Sequence, residues 1–294
     1  MHATLARLLE KGPVVCDGAW GTELQRRGLA PGRTPDLWNV ERPDAVRAVA
    51  ESYVAAGSRI ILTNTFRSNR IALADSSGPQ AILALNAAGV AISKSAAAGR
   101  AAVFASIGPS GKLLMTGDVT ALDLEMAFAE QAGALAAAGA DALLIETMTD
   151  LEEAVLALRA ARASGLPVVV SMVFDSGEDK DRTMMGLSPE EVAQALTEAG
   201  ADAVGANCGL GVQGYISVCR RMRASTDLPL WMKPNAGLPE LVDGQIVYRT
   251  TPQAFASGAV ALRQAGGSFI GGCCGTSPEF IRAVVGALAV EPSR

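Results

Sequence analysis

SPEEVAQALTEAGADAVGANC, residues 188–208, holds the pattern that decides the fold. Ser188 stands where a helix N-cap belongs, Pro189 fits the first turn, and Glu191 follows three residues on, as a capping box requires. Helical spacing then runs to Ala199, where Gly200 permits the left-handed stop that ends many helices. A short apolar run, Ala203–Cys208, comes next and ends in polar residues. Such a run without alternation suits a parallel strand covered on both faces.

The same strand phrase recurs along the chain. The runs are Val14–Trp20, Arg59–Asn64, Ala102–Gly108, Ala142–Thr147, Val168–Phe174, Ala203–Cys208, Leu230–Asn235 and Phe269–Cys274. Between them lie Ala- and Leu-rich helical segments: Pro43–Ala56, Ala81–Ala98, Asp123–Ala138, Asp150–Ser164, Ser188–Ala199 and Pro252–Ala265. Eight strand–helix units predict a (β/α)8 TIM barrel, a single domain over residues 1–294. An open doubly wound sheet usually has fewer strands, and no G-x-G-x-x-G follows the first run.

Composition narrows the function. Of 294 residues, 49% are hydrophobic and 19% charged, a core-rich globular balance. The formal net charge is −5 and no Lys/Arg run occurs, which argues against nucleic acid as a partner. No apolar stretch is long enough to span a membrane, and the N-terminus lacks a signal peptide's apolar core, so the expected compartment is the cytoplasm. The one histidine, His2, falls at a terminus expected to fray. A Ser-His-Asp triad and a His-ligated metal are thereby excluded.

In a TIM barrel the residues after each strand share one mouth. Cys208 ends the sixth run and Cys273-Cys274 ends the eighth, so strand ends two apart around the ring bring three thiols together. Three thiolates with one open position form a catalytic zinc pattern, and soft sulfur favours zinc over magnesium or calcium. Ordinary buried cysteines or a vicinal disulfide are the competing readings. Gly271, Gly272 and Gly275 would let two adjacent cysteines turn toward one point. A metal bound by three thiolates suits activation of a substrate thiol, because a coordinated thiol loses its proton. Cys16 and Cys219 are expected to be structural. Asp17 and Glu146 face each other across the barrel from opposite strand ends, placed to hold a substrate ammonium, while the amides of Gly18, Ala19 and Trp20 suit a carboxylate. The plain alternatives are that Asp17 caps a helix and Glu146 pairs with a nearby base.

The motifs DGAWGTE (17–23), TNTF (63–66), IGPSG (107–111), Glu146-Thr147, NCGLG (207–211), PNAG (234–237) and GGCCGT (271–276) resemble, in order and over nearly the whole chain, the homocysteine S-methyltransferase family. TNTF and PNAGLP are most similar to the homocysteine-binding module of cobalamin-dependent methionine synthase. The resemblance implies a zinc-bearing (β/α)8 barrel with Cys208, Cys273 and Cys274 as ligands and catalytic centre. It also implies homocysteine as substrate, with Asp17 and Glu146 at its amino group, Gly18 and Ala19 at its carboxylate, and Asn207 beside them. The methyl donor is left open. Arg67 and Thr147 stand where the betaine enzymes carry tyrosines, which disfavours a betaine-type donor and favours a corrinoid- or folate-linked one, with a separate corrinoid protein as the expected carrier. For a quaternary ammonium, Trp20, Trp38 and Phe66 are the aromatic candidates. Lys233 and Arg70 are surface cations in this reading. A small-molecule donor, or a subunit that only presents homocysteine to another protein, are the alternatives.

Overall fold

A computed structural model describes residues 1–74, 78–242 and 245–290. Eight parallel strands form one sheet: β1 (Val14–Val15), β2 (Ile60–Leu62), β3 (Ala102–Ile107), β4 (Ala142–Met148), β5 (Val168–Met172), β6 (Ala203–Gly211), β7 (Leu230–Asn235) and β10 (Gly267–Ile270). From β2 to β10 each pairs with its sequence neighbour among them, and β10 pairs with β1. A parallel bridge between Cys16 and Ile60, with Arg59 donating to the Val15 carbonyl at 2.8 Å, closes the ring. Between β7 and β10 the exposed hairpin β8 (Glu240–Val242) and β9 (Gln245–Val247) projects from the mouth end.

Alternation along the strands sorts the core into two clusters. Val14, Cys16, Leu62, Phe104, Leu144, Val169, Ala203, Trp231 and Phe269 fill the barrel, while Val15, Ile61, Val103, Leu143, Val170, Val204 and Met232 face the helices. Trp231 is the plug. Its ring stacks on Phe104 with centroids 5.8 Å apart and tilts against Phe269 at 5.7 Å. The Trp231 backbone passes so close to Gly205 that a Cβ there would lie 1.8 Å from the Trp231 carbonyl oxygen.

Two residues further up, the same inward parity turns polar. Phe104 is followed by Ser106, Leu144 by Glu146, Val169 by Ser171, Gly205 by Asn207 and Trp231 by Lys233. An apolar floor and a polar upper layer therefore come from one period-two register. At the opposite end the helix Ala3–Leu9 covers the barrel with Leu5. His2 is not frayed: its Nδ1 accepts the Thr4 amide at 3.2 Å and caps that helix.

The predicted helices are present with ends moved by a residue or two, and Ser188 and Glu191 form the capping box their spacing implied. Helices Val212–Ser225 and Pro278–Val290 complete the outer layer. The largest difference is at the first strand, which stops at Val15 rather than Trp20. Asp17 replaces a rung of the ladder there, its side chain accepting the Leu62 amide at 2.7 Å. Among the described residues, no helix is long and apolar enough to cross a membrane.

Candidate metal centre and substrate cavity

The sulfurs of Cys208, Cys273 and Cys274 lie within 4.8 Å of one another, the one such cluster of potential metal ligands among the described residues. Two backbone devices aim them. Cys208 sits at φ 62° and Gly209 at φ 52°, and the register between β6 and β7 slips between Cys208 and Gly211. A bulge at a strand end re-aims a side chain, and a left-handed non-glycine residue is a strain that cluster formation must offset. At the other strand the Cys273 amide donates to the Pro234 carbonyl at 2.8 Å and the Cys274 carbonyl accepts from Ala236 at 2.9 Å. Gly275, at φ 82°, then reverses the chain beneath the Tyr248 ring. No disulfide joins the three.

The thiols act as one group. Hydrogen bonds from Cys273 and Cys274 pull the Cys208 thiol down to about 3, while Cys273 is held well above its ordinary value and Cys274 is pushed up to about 12. One thiolate is favoured in the cluster, and a cation placed between the sulfurs would favour ionisation of the others. Tetrahedral zinc, with Zn–S near 2.3 Å, needs sulfurs about 3.8 Å apart. The donor set and its spacing fit that ion.

The cluster opens onto a cavity of about 310 Å³, lined also by Gly18, Ala19, Trp20, Phe66, Arg67, Glu146 and Lys233. Glu146 is buried. Its carboxylate accepts from Ser106 Oγ at 2.5 Å and, weakly, from Asn207 Nδ2 at 3.4 Å. Burial raises its pKa, only partly offset by the Lys233 charge and the Ser106 hydroxyl.

Asp17 and Asn207 do not reach the cavity wall. Asp17 is fully buried behind it and accepts three hydrogen bonds, from Lys233 Nζ at 2.5 Å, Trp20 Nε1 at 2.7 Å and the Leu62 amide. It caps no helix. Asn207 accepts from the Thr147 amide and Ser171 Oγ and donates to Thr147 Oγ1, so it fixes Glu146 and Thr147 from behind. Thr147, like Cys208, is held at positive φ, 62°. The Ala19 amide, expected at a carboxylate, is already given to the Thr276 carbonyl at 3.1 Å. The Gly18 and Trp20 amides have no acceptor among the described residues.

Lys233 is the main correction. It is no surface cation: its side chain is 2% exposed and ion-paired with Asp17. Burial alone would push its ammonium down, but the charges of Asp17 and Glu146 outweigh burial and raise it. Strand parity held the clue, since Lys233 shares the inward face with Trp231, and an inward lysine must be paired. Arg70 does lie at the surface, paired with Glu130 at 2.6 Å. Of the three aromatic candidates, Trp20 and Phe66 line the cavity, while Trp38 is buried in the core with Arg42 over its ring. Tyr248, behind Cys274, carried no sequence signal. Burial and the Cys274 charge push it up to about 12.

The sequence model of the family described as Homocysteine S-methyltransferase matches residues 14–288. The methionine synthase of Mycobacterium tuberculosis is 31% identical over 309 residues, covering 97% of this chain and 25% of that protein. The S-methylmethionine–homocysteine S-methyltransferase of Rattus norvegicus is 31% identical over 311 residues, covering 98% of this chain and 81% of that one. The oxidized form of the homocysteine methyltransferase MmuM from Escherichia coli superposes with a TM-score of 0.80 at 24% identity, over 97% of this chain and 99% of that one, a likeness of fold. The chain spans about a quarter of the length of the methionine synthases it matches.

Proposed function

The chain belongs to the homocysteine S-methyltransferase family, and from that premise we propose that it methylates the sulfur of homocysteine with a zinc ion held by Cys208, Cys273 and Cys274. The observation that carries this reading is the convergence of three sulfurs on a cavity whose wall also presents Glu146 and Lys233. Zinc held there supplies one thing, a substrate thiol kept ionised at neutral pH, where a free thiol of pKa about 8.5 is only a few per cent thiolate. The chain's own residues do the rest. Glu146, with one oxygen held only weakly by Asn207, has capacity left for the substrate ammonium. The Trp20 and Phe66 side chains on the cavity wall limit the water that reaches the sulfurs.

For the methyl donor, a carrier larger than the cavity fits best, a corrinoid held by a separate protein. Large apolar side chains stand exposed on the segments that follow barrel strands, Met115 after β3, Met184 and Met185 after β5, and Leu238, Leu241 and Ile246 in and before the β8–β9 hairpin after β7. Arg67, exposed beside Phe66 at the mouth, opposes an onium donor. A second reading rests on the rat relative, whose name gives S-methylmethionine as donor. A donor screen separates them. Zinc-loaded protein with homocysteine is offered methylcobalamin, S-methylmethionine, S-adenosylmethionine and betaine, and methionine is measured. Methylcobalamin is expected to give the fastest turnover and betaine none. Turnover on S-methylmethionine alone would refute the corrinoid reading. Binding of homocysteine with no turnover on any donor would leave a presenting subunit.

A further inference from the structure

We propose that the base of the barrel, at the end opposite the sulfurs, carries a second ligand site. It takes a small molecule bearing a phosphate monoester, with Arg7, Arg59 and Arg100 as the phosphate receptors. Nothing in this site depends on the reaction at the mouth.

A cavity of about 320 Å³ opens at that end, and the charged side chains on its wall are Arg7, Arg59, Lys94, Arg100 and Asp141. Four cations thus meet one carboxylate, in a chain whose formal net charge is −5. Separate elements bring them together. Arg7 lies in the last turn of the helix Ala3–Leu9 that covers the barrel with Leu5. Arg59 precedes β2 and Asp141 precedes β4. Lys94 and Arg100 flank the end of the helix Pro79–Ala97, where Ala98 and Gly99 turn the chain at φ 46° and 74°.

Structural duties use part of this charge. Lys94 is taken by Asp141, at 2.9 and 3.1 Å. Arg59 donates to the Leu8 carbonyl at 3.0 Å and Arg100 to the Ala96 carbonyl at 3.4 Å, so each meets the carbonyl end of a helix. Such an end carries roughly −0.5 charge. Two helix ends and Asp141 therefore offset about two of the four positive charges, and about two are left over. Arg7 has no partner among the described residues. A cavity of this volume is about one Debye length across, ~8 Å at physiological ionic strength, so the four cations repel one another. A bound anion would relieve that repulsion.

The excess also says which anion. Guanidinium is a fork of five N–H donors, and Arg59 and Arg100 each use one in a protein contact. Three forks around one cavity suit a group with three terminal oxygens and two negative charges. A carboxylate has two oxygens and one charge. A phosphate monoester matches on both counts. Leu8, Ala101 and Ala102 give the same cavity an apolar wall for the carbon skeleton of an ester. A molecule seated there would also fasten the covering helix to the start of β2 and the end of Pro79–Ala97.

Calorimetric titration of the zinc-loaded protein at constant ionic strength tests this with glycerol 3-phosphate, inorganic sulfate and glycerol. Glycerol 3-phosphate is expected to bind one-to-one, sulfate at least about 10-fold more weakly, and glycerol not at all. Arg7 and Arg100 are exposed, so Arg7→Gln/Arg100→Gln disturbs no core contact. This variant is expected to lose about 10- to 100-fold in affinity for glycerol 3-phosphate, the range of charge-assisted contacts, with methyl transfer unchanged. Arg220→Gln/Arg282→Gln removes the same charge from exposed positions on the helices Val212–Ser225 and Pro278–Val290. It is expected to stay within about 3-fold of the parent, as is the parent saturated with homocysteine. No saturable binding of glycerol 3-phosphate would overturn the proposal and leave the cations as counter-charges for the helix ends. An equal loss in the two double variants would overturn it as an effect of net charge. Displacement by homocysteine would overturn it by placing the phosphate at the mouth, and sulfate binding as tightly as the ester would overturn the choice of ligand.

Discussion

Cys208→Ala is expected to strip the protein of zinc and of turnover together. Zinc should fall from about one per chain to near none after dialysis, and methyl transfer by at least about 10³-fold. Ionisation alone accounts for roughly 30-fold, because a thiol of pKa about 8.5 is about 3% thiolate at pH 7. Loss of a fixed attack geometry accounts for the remainder. The effect follows from the way the chain spends strain at this residue: a left-handed backbone and a slipped register serve only to turn one sulfur toward two others. Cys16→Ala and Cys219→Ala are the controls, measured by the same metal analysis. Both thiols are buried away from the cluster, Cys16 inside the barrel and Cys219 between helix Val212–Ser225 and the carbonyls of Leu262 and Ala265. Burial pushes Cys219 up to about 12 and Cys16 higher still, so neither offers a thiolate. Both should keep their zinc. A Cys208→Ala protein holding metal one-to-one would remove Cys208 from the ligand set.

Gly205→Ala should be the most damaging single methyl group in the barrel. Its Cβ would sit 1.8 Å from the Trp231 carbonyl oxygen and 2.7 Å from the Trp231 Cβ. Both obstacles belong to β7, the direct register partner, so no flexible side chain can yield. Overpacking of a core usually costs 1–3 kcal/mol. A clash with backbone puts this case at about 3 kcal/mol or more. At about 2–4 °C per kcal/mol, Tm should drop by about 6–12 °C, or the protein should fail to accumulate in soluble form. Because Asn207 and Cys208 continue the same strand, zinc affinity should weaken as well. An unchanged Tm would mean that β6 and β7 are not packed in this register around Trp231.

The barrel was legible because its strands are buried on both faces, and eight apolar runs closed by helix stops admit few other arrangements. The sulfur cluster was legible by the same logic, since strand ends share a mouth whatever their separation in sequence. What escaped was any feature decided by bonding partners rather than by position. Asp17 and Glu146 look alike as acidic residues at strand ends. One is consumed by Lys233, Trp20 and the β2 edge, and the other keeps a face to the cavity. Asn207 stands next to Cys208 in sequence yet points into a network of Ser171 and Thr147. Ala19 sits in the expected anion turn with its amide already bound to Thr276. In each case a contact from a segment distant in sequence sets the role, and local pattern carries no record of it.

Binding stoichiometry of protons separates this mechanism from its rivals. Homocysteine is titrated into the zinc-loaded protein at pH 7 in buffers of different ionisation enthalpy, which counts the protons released per thiol bound. Close to one proton should leave, since a mostly protonated thiol becomes a thiolate in the cavity. The Cys208→Ala protein should release none. If the parent bound homocysteine with no proton release, the thiol would be entering as a thiol, and the three sulfurs would not be serving to ionise it.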